Sequence, residues 1–272
     1  MKKLLIICVS LLSCFISFSQ IDRMHIADSI SKEGERLYLS EMTSWYGTDV
    51  FLEKFKSETD NIGGYFSYDA KGNYTCLFFS KGDTPQVLGT ISFGSSFESI
   101  RATIDDTKRN FTSQELEYYS IRKIALEELQ KDTSFFQGYK NTSFNLIPLI
   151  NATEKKVYFL TGTSRSDIVI IGNDYLLNFD KDNKLVSKKK LHANIITLDT
   201  KVEEKNKDGS VNMGNVHNHI PETGDFITAT DICTFRLYKK FTNWKQQLVI
   251  SEKFLSIWNC ETDSLIIVPT SQ

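Results

Sequence analysis

The sequence predicts an α+β fold: a helix–β-meander–helix first half, then a mixed β-sheet with one inserted helix. Three observations carry this. Apolar residues recur at helical spacing across residues 24–46 and again after 112, turn residues separate strand-like runs between 65 and 93, and short apolar runs between turns dominate from 145 onward.

Met1-Lys2-Lys3 precedes thirteen mostly apolar residues, Leu4 to Ile16, and Ser17-Phe18-Ser19 then places small residues before Gln20. This pattern predicts a secretory signal peptide over 1–19, because the apolar run is too short to span a bilayer and ends at a processing site. The expected location is therefore secreted or periplasmic. A lipoprotein signal ending at Cys14 is the alternative, disfavoured by the apolar Phe15-Ile16 that follows it. No later stretch approaches the length of a membrane span, so no transmembrane segment is expected.

Ile26, Ile30, Leu37, Met42 and Trp45 then mark an amphipathic helix over 24–46, with Gly34 a point where it can break. Strands at 65–68 and 74–80 flank the turn Asp69 to Asn73, and a third at 87–93 follows Gly82-Asp83-Thr84-Pro85. Thr112-Ser113-Gln114-Glu115 has capping-box spacing, and Phe111 is placed to staple onto Leu116. The helix it opens should run to about 131 and bury Leu116, Tyr119, Ile124 and Leu129. Strands follow at 157–160, 168–171 and 175–179, and the Asp180–Asn183 turn leads into a hairpin strand over 184–192. Residues 201–213 are polar and read as an exposed loop. A strand at 215–219, a helix at 230–240 and closing strands at 248–250, 254–258 and 265–268 complete the chain. A soft division near 140 separates an α+β region (20–140) from a β-rich region (141–272).

The full chain has 272 residues, with 32 basic and 34 acidic side chains. Without the signal segment the balance is 30 to 34, a net charge of −4. So balanced a chain has no bulk electrostatic case for binding nucleic acid. The expected partner is instead an unidentified protein or peptide. Cys76, Cys233 and Cys260 remain, which permits at most one internal disulfide. Cys233 and Cys260 are nearest in sequence and form the candidate pair.

The chemistry concentrates in residues 214–231, which read Gly-Asn-Val-His217-Asn-His219-Ile-Pro221-Glu-Thr-Gly-Asp-Phe-Ile-Thr228-Ala-Thr-Asp231. Histidines at i and i+2 of a strand project to one face. Two imidazoles there, joined by a carboxylate at the start of the next helix, make three ligands for a zinc ion and leave a fourth position for water. Each residue also has a plain structural reading. The histidines can hydrogen-bond in a polar pocket, and Asp231 with Thr228 or Thr230 can simply cap the helix. His192, at the end of the basic strand after Lys188-Lys189-Lys190, reads as an exposed or edge-strand histidine.

His217-x-His219, a following proline, and Thr228-x-x-Asp231 together resemble the JAMM/JAB metalloprotease signature, and the same stretch is similar to the bacterial RadC proteins. The resemblance spans about 145–260 and implies a JAMM-like fold with zinc held by His217, His219 and Asp231. It also implies an oxyanion donor at the position of Thr228, where the family carries serine. It implies a water-activating glutamate as well, for which Glu154, ahead of the apolar strand Val157 to Leu160, is the candidate. Glu154 reads equally as a charged turn residue. The gap from His219 to Asp231 is one residue longer than the family pattern. A second resemblance, through Gly172-Asn173-Asp174-Tyr175, the Asp180 turn, Leu191-His192 and the last strand pair, is to a group of secreted bacterial proteins without assigned function. Two function classes follow: a non-catalytic, partner-binding protein, favoured by the spacing, and a JAMM-like zinc hydrolase of peptide or isopeptide bonds.

Overall fold

The computed structural model describes residues 2–94, 97, 101–200, 214–242 and 244–270, with side chains from residue 20 onward. The fold is α+β. Its contacts divide the chain into two compact units, Arg36–Lys201 and the combination of Met1–Glu35 with Val202–Gln272. The polar segment 201–213 lies outside the described residues.

Helix α1 (Lys2–Lys54) runs into both units. It is longer than the 24–46 helix expected and does not break at Gly34. A Cβ at that position would sit 2.7 Å from the Ile232 side chain, so Gly34 serves a close approach between helices and not a kink. Trp45, expected in the core, is exposed. Among the described residues no helix is long and apolar enough to cross a membrane.

In the larger unit, β1 (Ile62–Ala70), β2 (Asn73–Ser80), β3 (Val87–Phe93) and β4 (Thr103–Asp105) form an antiparallel meander in sequence order. Lys71 and Gly72 both have positive φ, 56° and 90°, as a two-residue hairpin with strand-matched twist requires. Helix α2 (Ser113–Lys131) follows, opened by a complete capping box between Thr112 and Glu115. A second antiparallel sheet has the order β5 (Thr142–Ile150), β6 (Lys155–Thr163), β8 (Tyr175–Phe179) and β9 (Leu185–Lys190), while β7 (Ile168–Gly172) pairs with β10 (Ile195–Asp199). Ile121, Phe136, Phe159, Tyr175 and Leu177 pack together in one of its cores. The composition change near residue 140 falls inside this unit, where α2 packs on β5 and β6.

The expected buried face of α2 is corrected at Leu116, while Tyr119, Ile124 and Leu129 are partly buried and pack against the cores as expected. The buried positions are Glu115, Tyr118, Ile121 and Ala125, while Leu116 is 50% exposed. Glu115 turns the helix: its carboxylate accepts from Arg109 at 2.7 and 2.8 Å and from the Tyr68 hydroxyl at 2.8 Å, which draws that face inward. Phe111 accordingly stacks on Tyr119, with ring centroids 5.0 Å apart, and not on Leu116.

In the smaller unit, β11 (Gly214–Asn218), β12 (Gln246–Ile250), β13 (Phe254–Asn259) and β14 (Ser264–Pro269) form one mixed sheet in that order. Strands β11 and β12 are parallel, and α3 (Ala229–Tyr238) is the crossover between them. This is the expected sheet with one inserted helix, although the second half of the chain also supplies two of the three sheets of the larger unit. The expected Cys233–Cys260 disulfide is absent: both are buried thiols not joined to each other, Cys233 within α3 and Cys260 just past β13. Burial pushes the Cys260 thiol up to about 12, which keeps it protonated and unreactive.

Candidate metal centre

Strand β11 is an edge of its sheet, hydrogen-bonded to β12 on one side. Its alternation is clean: Val216 and Asn218 are exposed, His217 is buried, and His219 just beyond the strand end is buried too. The His219 amide donates to the Ile250 carbonyl at 2.8 Å, which continues the pairing long enough to keep His219 on the His217 face. The two imidazole centroids lie 5.2 Å apart.

The chain then turns through Pro221 and Gly224, whose φ of 113° suits glycine. The Ile227 amide donates to Ser256 Oγ at 3.2 Å and pins the start of α3 to β13. Thr228 is the N-cap, accepting at Oγ1 from the Asp231 amide at 3.1 Å, while Asp231 Oδ2 accepts from the Thr228 amide at 2.9 Å and its hydroxyl at 2.8 Å. This reciprocal box fixes the Asp231 side chain and places its charge in the helix's first turn.

So oriented, Asp231 Oδ1 lies 3.7 Å from His217 Nε2, and Oδ2 lies 3.9 Å from His219 Nε2. One ligating atom from each of the three residues can be chosen so that all lie within 4.8 Å of one another. Four tetrahedral ligands on bonds of about 2.0–2.1 Å sit roughly 3.3–3.5 Å apart, so atoms within 4.8 Å of one another must draw in by up to about 1.5 Å to close on an ion of that size. Two neutral imidazoles and a carboxylate are also the donors that zinc accepts. The three residues are compatible with a bound metal ion.

Both readings of Asp231 and Thr228 are therefore present together: the capping box is formed, and the same carboxylate faces the histidines. Thr228 Oγ1 is already engaged with the amide and carboxylate of Asp231 and lies 2.9 Å from Thr230 Oγ1. Glu154 sits in the β5–β6 turn of the larger unit, half-exposed, ion-paired with Lys156 at 2.8 Å. The Lys156 contact, more than the neighbouring Asn151 amide, holds its carboxyl below the ordinary range. A general base for neutral pH needs the opposite shift.

His192 is corrected: it is buried, not an edge-strand residue facing solvent. Within the larger unit it follows β9, and its Nδ1 lies 3.5 Å from Oδ2 of the buried Asp174. Asp174 is held in turn by Oδ1, which accepts from the Thr161 amide at 2.9 Å, and by its carbonyl, which accepts from the Leu191 amide at 2.9 Å. His192, His217, His219 and Asp231 are all buried, His192 in the larger unit and the other three in the smaller. No protein-family profile, curated protein or solved structure matches the chain.

Proposed function

We propose that this protein is a secreted or periplasmic metal-binding protein whose His217, His219 and Asp231 hold a zinc ion that orders the smaller unit for a protein or peptide partner. One observation carries the reading: three buried ligand side chains converge on one face, the third locked in place by a capping box. Metal binding at such a site stabilises the folded state by mass action, about 2.7 kcal/mol at a free ion concentration of 100 Kd. The engagement of Thr228 in the helix cap and of Glu154 with Lys156 supports a non-catalytic role. The signal-like amino terminus supports export.

A second reading, a JAMM-like zinc hydrolase of peptide or isopeptide bonds, is favoured by the order His-x-His, then Thr-x-x-Asp, and by a three-ligand set that leaves a coordination position. A bound zinc ion supplies Lewis acidity at such a position.

Metal analysis of purified protein tests both. Near one zinc per chain in the wild type, with loss in His219→Ala and Asp231→Asn, supports binding; near-zero zinc in all three removes it. Activity then sorts the readings: a folded, zinc-loaded protein that cleaves no peptide or isopeptide substrate is the mark of a structural site. Metal-dependent cleavage of a peptide or isopeptide substrate, lost in His219→Ala, would favour the hydrolase.

A further inference from the structure

A second site lies wholly within the larger unit. A cavity of about 330 Å³ opens between the start of β1, the end of β2 and α2. Phe79, Tyr119 and Leu126 form its apolar walls, and Lys81, Arg122 and Lys123 bring cations into it. Arg122 rises from α2 with its guanidinium carbon 6.0 Å from the Phe79 ring centroid. Its Nε is buried and makes no hydrogen bond among the described residues. Glu127 is the acidic residue lining the cavity, and it forms no ion pair with Arg122 within 4.0 Å.

A buried guanidinium N–H left without a hydrogen-bond partner is costly, and native structures leave few such groups unmatched. Burial lowers its pKa, and the groups that offset this are the phenols of Tyr65 and Tyr119. The Tyr65 phenol stays neutral at physiological pH, as burial pushes it up to about 12. The fork of Arg122 is thus available to a planar two-oxygen anion, and the aromatic and aliphatic walls suit a flat apolar body beside it.

We propose that this cavity binds a small organic acid, its carboxylate on Arg122 and its apolar body against Phe79, Tyr119 and Leu126. Lys81 and Lys123 add long-range attraction for an anion, and Glu127 offsets part of it. The site is independent of the metal centre.

The test is a calorimetric titration of the full chain with benzoate, benzamide and inorganic phosphate. Saturable benzoate binding is expected, at least about tenfold tighter than benzamide, since a charge-assisted bond contributes about 1.5–3 kcal/mol. Arg122→Lys should weaken benzoate several-fold and Arg122→Met should abolish it. Phosphate binding as tightly as benzoate would overturn the assignment of an apolar-bodied acid, and no benzoate binding by the folded wild type would overturn the site. A melt without ligand guards against misreading. Arg122→Met should match or exceed the wild-type melting temperature, because an uncompensated cation has been removed. A lower one would make Arg122 a structural residue and refute the proposal.

Discussion

Asp231→Asn separates the two tasks that meet in one carboxylate. The amide can still accept from the Thr228 backbone, but it loses the charge that faces His217 and His219 at 3.7 and 3.9 Å. In the presence of a chelator the change should cost about 1 kcal/mol, the weakening of one helix cap. With free zinc at 100 Kd the wild type gains about 2.7 kcal/mol that the variant does not, so the gap should widen to nearly 4 kcal/mol. Thr228→Ala is the control. It removes the hydroxyl bonded to Asp231 and should cost about 1 kcal/mol with or without zinc. Urea denaturation of the three proteins, with chelator and with zinc, reads these differences directly. An Asp231→Asn penalty that is the same in both conditions would refute a ligand role and leave only the cap.

Two further predictions concern pH, both in the larger unit. Glu41 is buried on α1, and Asn145 Nδ2 donates to its two oxygens at 2.6 and 2.7 Å. Burial, only partly offset by Asn145, raises its carboxyl to about 7, so the folded state holds a proton that the unfolded chain releases near 4.5. Stability from this group is complete below about 4.5 and is lost as pH rises through 7, by about 3 kcal/mol; Tyr65 and Cys76, which face it, stay protonated throughout. Glu41→Gln should flatten that slope in denaturation curves from pH 4.5 to 7.5, and an unchanged slope would remove the assignment. Glu115 runs the other way. Burial would raise it, but Arg109, the Thr112 amide and Tyr68 together hold it down to about 2. Its contribution, about 2–3 kcal/mol, is present above 4.5 and is lost as pH falls through 2. Arg109→Leu should therefore destabilise at pH 7 by more than at pH 2.5, and equal losses at both would count against the ion pair.

Much of the fold was legible because its signals are local. Strand β8 and the capping boxes at Thr112 and Thr228 rest on alternation or on contacts three residues apart. Strand β5 escaped because Pro148 interrupts its pattern, and the fold tolerates that proline on a strand that is an edge of its sheet. Strand β10 escaped because its stability comes from pairing with β7, more than twenty residues earlier. The α2 face was misjudged because a buried Glu115–Arg109 pair outweighed an apolar Leu116.

The same division holds for the sites. His217, His219 and Asp231 could be read together because strand period and helix start determine their directions. His192 could not, as its burial depends on the Gly172-Asn173-Asp174 turn, where Gly172 and Asn173 take φ of 91° and 58°. Arg122 looks like any surface cation of a charged helix until β2 delivers Phe79 beneath it.

The most direct test of the central claim is the zinc content of purified wild-type protein beside that of His219→Ala, with circular dichroism confirming that both are folded. The account predicts close to one zinc per chain in the wild type and a small residue in the variant. Equal zinc in the two, whether high or near zero, would contradict it.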